Sequence, residues 1–296
     1  MKKAFSLIEL SVVILIIGIL VAGVTQSSRL VAQMRLSSAR AITSSSPIAS
    51  IRDLVFWFEP TLEESFLTSQ AEDGTQISQW NDINPFAVNN KYYAVKTASA
   101  NVLYKSNAIN GIPGLQFSGA NSPTGYLTLS TTAAIGGATN IQTTNNRFTI
   151  FAVAKLDITS DLVNRGLIYN GISSTNGWGY YRESSNKRGI LFGGVVGHLS
   201  TSASSSLNPE VISAVYQGNT STVAVYVNGA AEAFPSLGGA SPATPTSSLF
   251  IGGTSVTAGN WSGFISEIIV YDRPLKTEER QSIERYLGKK YGIRTA

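Results

Sequence analysis

Cysteine is absent from this chain of 296 residues, so the fold has no disulfide bonds and no thiolate metal ligands. Histidine occurs once, at His198, which argues against a zinc site built from several histidines. Charged residues make up only 14% of the chain, whereas glycine, serine, threonine and asparagine are frequent. Such a composition is typical of β-rich structure with long turns.

The body of the chain also lacks an excess of charge of either sign. The whole net charge of +4 lies in residues 1–50, where five basic residues accompany a single acidic one: Lys2, Lys3, Arg29, Arg35 and Arg40 against Glu9. The remainder of the chain is neutral overall. Because proteins that bind nucleic acids present a basic surface, we expect no nucleic-acid partner.

Sequence motifs of common enzymes are missing as well. Neither the nucleophile elbow G-x-S-x-G nor a glycine-rich phosphate loop ending in GK[ST] occurs. The single histidine, His198, lies in a stretch rich in glycine and serine that indicates a loop. The sequence therefore predicts a protein that is not an enzyme.

One long hydrophobic run is present, from Phe5 to Val24, and its 20 residues contain one charged side chain, Glu9. A helix of this length measures about 30 Å and matches the core of a bilayer. A carboxylate inside such a helix costs about 2.5–3.5 kcal/mol on the insertion scale. A plain membrane anchor or a secretory signal peptide, the two simpler interpretations, gives no reason for this residue.

The residues around Glu9 suggest a reason for its presence in the hydrophobic run. The run Ala4-Phe5-Ser6-Leu7-Ile8-Glu9, preceded by Lys2-Lys3, resembles the processing site of type IV pilins and pseudopilins. The resemblance implies that a prepilin peptidase in the inner membrane cleaves between Ala4 and Phe5 and that Phe5 is methylated. It also implies that Glu9 pairs with the amino terminus of a neighbouring subunit during filament assembly.

Helical spacing continues beyond the hydrophobic run. An apolar stripe is predicted to rest this stalk on the body of the protein; it consists of Leu30, Val31, Met34, Ser38 and Ala41. We divide the chain into a leader (1–4), a transmembrane and stalk helix (5–46), a linker (47–52) and a globular body (53–296).

In the body the hydrophobic period changes from 3.6 to 2. Short apolar runs separated by turn residues predict an antiparallel two-sheet sandwich. Near the C-terminus a helix is predicted with an inner stripe of Ile283, Tyr286, Leu287 and Tyr291. Its outer, solvated face is expected to carry Arg280, Arg285, Lys289 and Lys290.

The body resembles bacterial laminin-G-like domains of the concanavalin-A-like lectin/glucanase superfamily. The most specific stretch begins Gly263-Phe264-Ile265-Ser266-Glu267 and continues to Tyr291-Gly292; shorter ones are Trp80-Asn81-Asp82 and Asn110–Gly119. The resemblance implies a mainly β fold, a jelly-roll sandwich after the long N-terminal helix, and adhesion to carbohydrate or protein, sometimes with calcium. The E-x-D-x-E carboxylate strand of the related glucanases is absent.

Two sets of residues are candidates for ligand contact. Trp178, Tyr180, Tyr181 and Arg182 lie in a predicted loop and could stack on a sugar and bind its hydroxyls; the alternative is that they belong to the sandwich core. No cofactor is expected except a candidate calcium ion, for which Asp73, Asn81 and Asp82 are oxygen donors unless they cap turns.

The first hypothesis for function is a type IV pilin-like filament subunit that displays a lectin-like adhesion domain. It would reside in the inner membrane before assembly and in an extracellular or periplasmic filament after processing. Its partners would be identical or related pilins and a glycan or surface protein. The alternatives are a pseudopilin of a type II secretion system and, ranked lower, a glycan hydrolase on a pilus stalk.

Overall fold

The computed structural model describes residues 7–87, 91–96, 101–119, 125–131, 139–142, 147–157, 163–193, 196–201, 206–218, 223–234, 241–254 and 259–296. The α-helices are α1 (Leu7–Ser44) and α2 (Thr277–Tyr291), and three short 3-10 helices occur at Ile48–Ser50, Glu63–Ser65 and Thr68–Gln70. The strands are β1 (Leu54–Phe58), β2 (Gln79–Asn81), β3 (Tyr92–Lys96), β4 (Val102–Ile109), β5 (Ile112–Ser118), β6 (Leu127–Thr131), β7 (Phe148–Leu156), β8 (Arg165–Asn170), β9 (Trp178–Arg182), β10 (Arg188–Phe192), β11 (Val196–Leu199), β12 (Glu210–Tyr216), β13 (Val223–Val227), β14 (Ala230–Glu232), β15 (Leu249–Ile251) and β16 (Ser262–Tyr271).

The strands form two antiparallel sheets, which confirms the predicted mainly β sandwich. Sheet A has the order β14-β13-β12-β7-β16-β5-β4, with β1 also paired to β16. Sheet B has the order β11-β10-β9-β8-β15-β6-β3-β2. Neighbours in each sheet are often distant in sequence, so both sheets need long-range pairing to form.

The main core lies between the two sheets. Aromatic side chains dominate it: Phe58 packs on Trp80 with ring centroids 5.4 Å apart, and Phe148 stacks on Trp178 at 4.1 Å. These rings come from strands of both sheets, so each pair joins the layers. Burial of such large apolar side chains contributes most of the free energy that stabilises a sandwich.

A second core covers the opposite side of sheet A. Strand residues such as Phe151 and Tyr271 alternate with the residues of the main core and contact α2 and the end of α1. All four residues of the predicted inner stripe of α2 (Ile283, Tyr286, Leu287, Tyr291) are buried here, as predicted. Sheet A is therefore covered on both faces.

The contact of α1 with the body differs from the prediction. The side chains of Leu30, Val31 and Met34 are about half or more exposed, so the predicted stripe does not rest on the body. The buried residues of α1 are Ala39 and Thr43, in its last turns. Ser38 and Ala41 of the predicted stripe are exposed as well, so the helix turns a different face, that of Ala39 and Thr43, toward the body.

The solvated face predicted for α2 is also wrong in part. Arg285 and Lys289 are exposed, whereas Arg280 and Lys290 are buried. Arg280 forms an ion pair with Glu284 at 2.6 Å, and its guanidinium lies 3.5 Å from the centre of the Tyr226 ring. Lys290 pairs with two buried carboxylates, Glu59 and Glu267. Both buried cations therefore have the ionic partner that a buried charge requires.

Candidate functional site

The first candidate site is the apolar helix that carries Glu9. Within the described residues, α1 is the one helix long and apolar enough to cross a membrane, by length and composition. Its large apolar side chains from Leu7 to Val24 are exposed in the isolated chain, and Glu9 lies among them near the start of the helix. Ala4 and Phe5, the predicted processing residues, lie outside the described residues.

The second candidate site lies on strand β9, where the sequence analysis expected a loop. Trp178, Tyr180 and Arg182 alternate with Gly179 and Tyr181 along this strand. Trp178 and Tyr180 belong to the main core between the sheets, and Arg182 points to the same side. Tyr181 points to the outer side of sheet B and is half-buried.

The four predicted ligand residues therefore divide into three inward and one outward. Trp178 is 1% exposed and its ring is covered by Phe148, while Tyr180 is 3% and Arg182 1% exposed. Burial raises the pKa of the Tyr180 hydroxyl far above its usual range. A ligand cannot stack on these three side chains without opening the core. Of the four predicted residues, only Tyr181 remains a candidate for ligand contact.

The residues named for calcium serve separate turns. Asp73 accepts hydrogen bonds from the backbone N–H and the hydroxyl of Ser106, at 2.8 and 3.0 Å. The side-chain amide of Asn81 donates to the carbonyl of Glu64 at 2.6 Å. Among the described residues, no group of three or more histidine, cysteine, aspartate or glutamate side chains could hold a metal ion. The contacts of Asp73 and Asn81 agree with the alternative interpretation, in which these side chains cap turns.

Asp82 is the unusual member of this set because it is buried. Its Oδ1 accepts the backbone N–H groups of Trp57 at 2.9 Å and Asn84 at 2.8 Å. Its Oδ2 is buried with no hydrogen-bond partner among the described residues. Burial raises the pKa of this carboxyl from 3.8 to about 6, and backbone hydrogen bonds only partly oppose that rise.

Asp82→Asn should stabilise the protein at neutral and higher pH. Because the pKa is higher in the folded than in the unfolded state, the charged form of Asp82 destabilises the fold above pH 6. Asparagine keeps the acceptor for both amides and removes the charge. We expect a gain of about 1–3 kcal/mol in the free energy of unfolding at pH 8. The gain should shrink as the pH falls through 6 toward 4. Urea unfolding across this range measures it.

Asp73→Asn is the matched control for this prediction. Hydrogen bonds from Ser106 lower the pKa of Asp73, so removal of its charge should slightly destabilise the protein at neutral pH. Equal effects of the two substitutions at every pH would contradict the assigned role of burial at Asp82.

A cluster that the sequence analysis missed joins the helices to sheet A. Lys290 of α2 places its Nζ 2.7 Å from Glu59 Oε2 and 2.8 Å from Glu267 Oε2, and all three side chains are fully buried. Glu267 also accepts hydrogen bonds from Trp57 Nε1 at 2.7 Å and from the Tyr286 hydroxyl at 2.8 Å. We call Glu59, Glu267 and Lys290 the buried triad.

The charges of the buried triad depend on one another. Burial alone would lower the pKa of Lys290, but the charges of Glu267 and Glu59 raise it. Burial would raise the pKa of Glu59, but the charge and hydrogen bond of Lys290 and the hydroxyl of Thr61 lower it. The cluster fixes α2 to β16 and to the chain after β1, close to Thr43 at the end of α1, whose hydroxyl lies 3.4 Å from that of Tyr286.

Sequence comparison identifies both parts of the chain. The family profile described as the concanavalin A-like lectin/glucanases superfamily matches residues 121–279, more than half of the chain. The chain belongs to this superfamily. A second profile, the prokaryotic N-terminal methylation motif, matches residues 1–25. This lectin-like protein therefore joins a type IV methylation segment to a laminin-G-like sandwich, as predicted. No curated protein sequence matches the chain.

Solved structures support the fold of the lectin-like protein. A Trypanosoma rangeli sialidase with a covalently bound difluorosialic acid matches with a TM-score of 0.52 and 18% identity, over 83% of this chain and 34% of that chain. The binding domain of botulinum neurotoxin serotype D matches with a TM-score of 0.53 and 12% identity, over 82% of this chain and 53% of that one. The chain spans only about a third of the sialidase, and at this identity the likeness concerns the fold alone.

The pair of carboxylates in the buried triad does not form a glycosidase site. A hydrolytic pair needs access to the glycosidic bond and to water. Glu59 and Glu267 are 0% exposed, and Lys290 lies between them and bonds to both. Their arrangement stabilises the junction of the helices with sheet A.

Proposed function

We propose that this lectin-like protein is a type IV pilin-like filament subunit that displays its sandwich for adhesion. The observation that carries the proposal is the methylation motif at residues 1–25, which overlaps an apolar helix with a carboxylate at Glu9. In this proposal a prepilin peptidase of the inner membrane removes residues 1–4, Phe5 is methylated, and α1 enters a filament of identical or related subunits.

The way the body is attached supports display. The last turns of α1 pack on the α2 side of sheet A, while sheet B lies on the far side of the sandwich. A filament that gathers the α1 helices at its axis would therefore expose sheet B outside the cell or in the periplasm. We propose binding of a glycan or surface protein there, without catalysis, and no nucleic-acid partner.

Processing is tested by the mass of the protein purified from bacterial envelopes that contain active prepilin peptidase. We expect a chain that begins at Phe5, lacks residues 1–4 and carries one added methyl group, because Lys2-Lys3 and Ala4-Phe5 form the cleavage signal. The same measurement in cells without the peptidase is the control. A mass that starts at Met1 in both strains would overturn the pilin proposal.

A pseudopilin of a secretion system would show the same processing. The two functions differ in abundance, because a displayed filament contains many copies of its subunit. Sheared surface filaments that contain the processed chain support the pilin-like role. Processed chain that stays in the envelope under every growth condition supports the pseudopilin alternative.

A further inference from the structure

Neither α1 nor α2 packs on the outer face of sheet B. On sheet A the corresponding side is packed against α2 and the end of α1. Within the described residues, neither helix contributes to the layer beyond sheet B. This face also points away from α1, which carries the exposed apolar residues available for self-assembly.

Glycine and aromatic residues alternate on this outer face along β8 to β11. Paired positions across the strands give one row with Tyr181 opposite Gly189 and another with Tyr169, Gly179, Leu191 and Gly197. Tyr169 in the second row is 1% exposed and its hydroxyl donates to the carbonyl of Asn176, so the open part of this face is the part around Tyr181. None of the outward residues described on these four strands is charged, although the chain has 22 basic and 18 acidic residues. The face is therefore suited to a neutral partner.

Tyr181 lies flat on the sheet. A β-carbon placed on Gly189 would come within 2.4, 2.5 and 2.9 Å of three carbons of the Tyr181 ring, so the ring rests on this glycine. A β-carbon on Gly197 of the next strand would lie 3.2 Å from the Tyr181 hydroxyl. Glycine is unfavourable in a strand interior, and here it provides room for the ring.

This arrangement leaves one ring face covered and the other directed outward. It explains why Tyr181 is half-buried although it points away from the core. Burial raises the pKa of its hydroxyl to about 12, so it stays protonated and can donate a hydrogen bond. A fixed aromatic face with a hydroxyl at its rim is suited to a sugar ring, which has apolar C–H faces and a polar edge.

We propose that the outer face of sheet B binds neutral glycans, with Tyr181 as the platform on which a pyranose ring stacks. The proposal rests on the adhesive role of the sandwich and adds its location, its main contact residue and the charge class of its ligand. The outward strand residues carry no charge, and the Glu183 carboxylate just beyond β9 acts on the Tyr181 hydroxyl, so the site favours neutral over sialylated or sulfated sugars. The position of the face favours a ligand outside the filament over a second copy of the chain.

The test uses the full chain in a detergent without a sugar head group. It is applied to an array of neutral oligosaccharides of glucose, galactose, mannose and N-acetylglucosamine, with sialylated and sulfated oligosaccharides for comparison. The best-bound neutral oligosaccharide is then titrated by calorimetry. We expect Tyr181→Ala to weaken its affinity at least tenfold and Tyr181→Phe to keep it within about threefold, because the aromatic face remains.

Tyr93→Ala is the matched control, since Tyr93 is also half-buried on the outer side of sheet B but lies on β3, toward the other edge. It should change the affinity less than twofold. Circular dichroism and thermal unfolding confirm that each variant is folded. Unchanged affinity in a folded Tyr181→Ala variant would place the glycan site elsewhere and overturn this proposal while leaving adhesion intact.

Three further outcomes also overturn it. Binding of no glycan by the wild-type chain removes the carbohydrate part of the proposed function together with this site. Stronger binding of sialylated or sulfated sugars contradicts the neutral surface. Sedimentation of the wild-type chain and Tyr181→Ala in the same detergent tests a second copy as the occupant: loss of a dimer in the variant would reassign the face to self-association.

Discussion

Glu9→Ala is expected to abolish filaments while the subunit is still processed and inserted. Removal of one member of a buried ion pair costs about 3–5 kcal/mol, because the remaining charge has no partner in apolar surroundings. In a filament this cost would recur at every subunit. Cleavage between Ala4 and Phe5 lies upstream, so the processed band should remain in membranes. Immunoblots of membranes and of sheared filaments from the same cells measure both quantities.

Two control variants distinguish the effect of the Glu9 charge from the effect of side-chain size and from the loss of a carboxylate elsewhere in the chain. Glu9→Gln keeps the shape of the side chain and removes its charge, so it should fail to assemble as Glu9→Ala does. Glu278→Ala removes an exposed carboxylate from the first turn of α2 and should leave filament yield unchanged. A normal yield of filaments from Glu9→Ala would show that the carboxylate has no role in assembly.

Lys290→Met is expected to cause the largest loss of folding stability. It leaves Glu59 and Glu267 buried without the cation that bonds to both. The expected loss is about 3–5 kcal/mol, or roughly 10 °C in the midpoint of thermal unfolding. Differential scanning calorimetry of the full chain in detergent measures it. The exposed neighbour Lys289 gives the matched control, since Lys289→Met should shift the midpoint little.

The folding stability of Lys290→Met should change with pH in the opposite direction to that of the wild type. In the wild type the pKa of Glu59 is lowered below 4.5, so its contribution is present above that value and is lost as the pH falls through the lowered pKa. Without Lys290, burial is no longer opposed by its charge, so the pKa of Glu59 should be raised and acidification from pH 8 to 5 should stabilise the variant.

A rescue experiment completes the test of the buried triad. The triple variant Glu59→Gln, Glu267→Gln, Lys290→Met has no buried charge and should recover most of the lost stability. Failure to recover any of it would mean that the effect of Lys290→Met comes from packing rather than from charge. In that case the triad would not be the electrostatic junction described here.

Some features of this protein follow from local sequence. The hydrophobic run with Glu9 and its basic leader carries its information in a few adjacent residues, so the pilin-like segment could be recognised without a fold. The short apolar runs Leu54–Phe58 and Val223–Val227 coincide with β1 and β13, because polar and turn residues bound each run. The inner stripe of α2 follows in the same way from the helical period.

Other features depend on partners far away in the chain. Regular alternation along β16 would put Glu267 on the same side as Ile265, in the main core. A register shift between these residues instead turns Glu267 toward α2, where Lys290 meets it. Lysine on a helix surface is normally solvated, so only this bulge and Glu59, 231 positions away in sequence, make its burial favourable.

The candidate ligand residues also combine a feature set by local sequence with one set by the tertiary structure. The sequence alone determined that aromatic residues and an arginine occur together at Trp178–Arg182, and that the chain begins with an apolar helix interrupted by one carboxylate. Only the tertiary structure decided that Trp178, Tyr180 and Arg182 point inward and Tyr181 outward. The physical reason is that a strand has two faces, and which face is buried depends on the sheet packed against it.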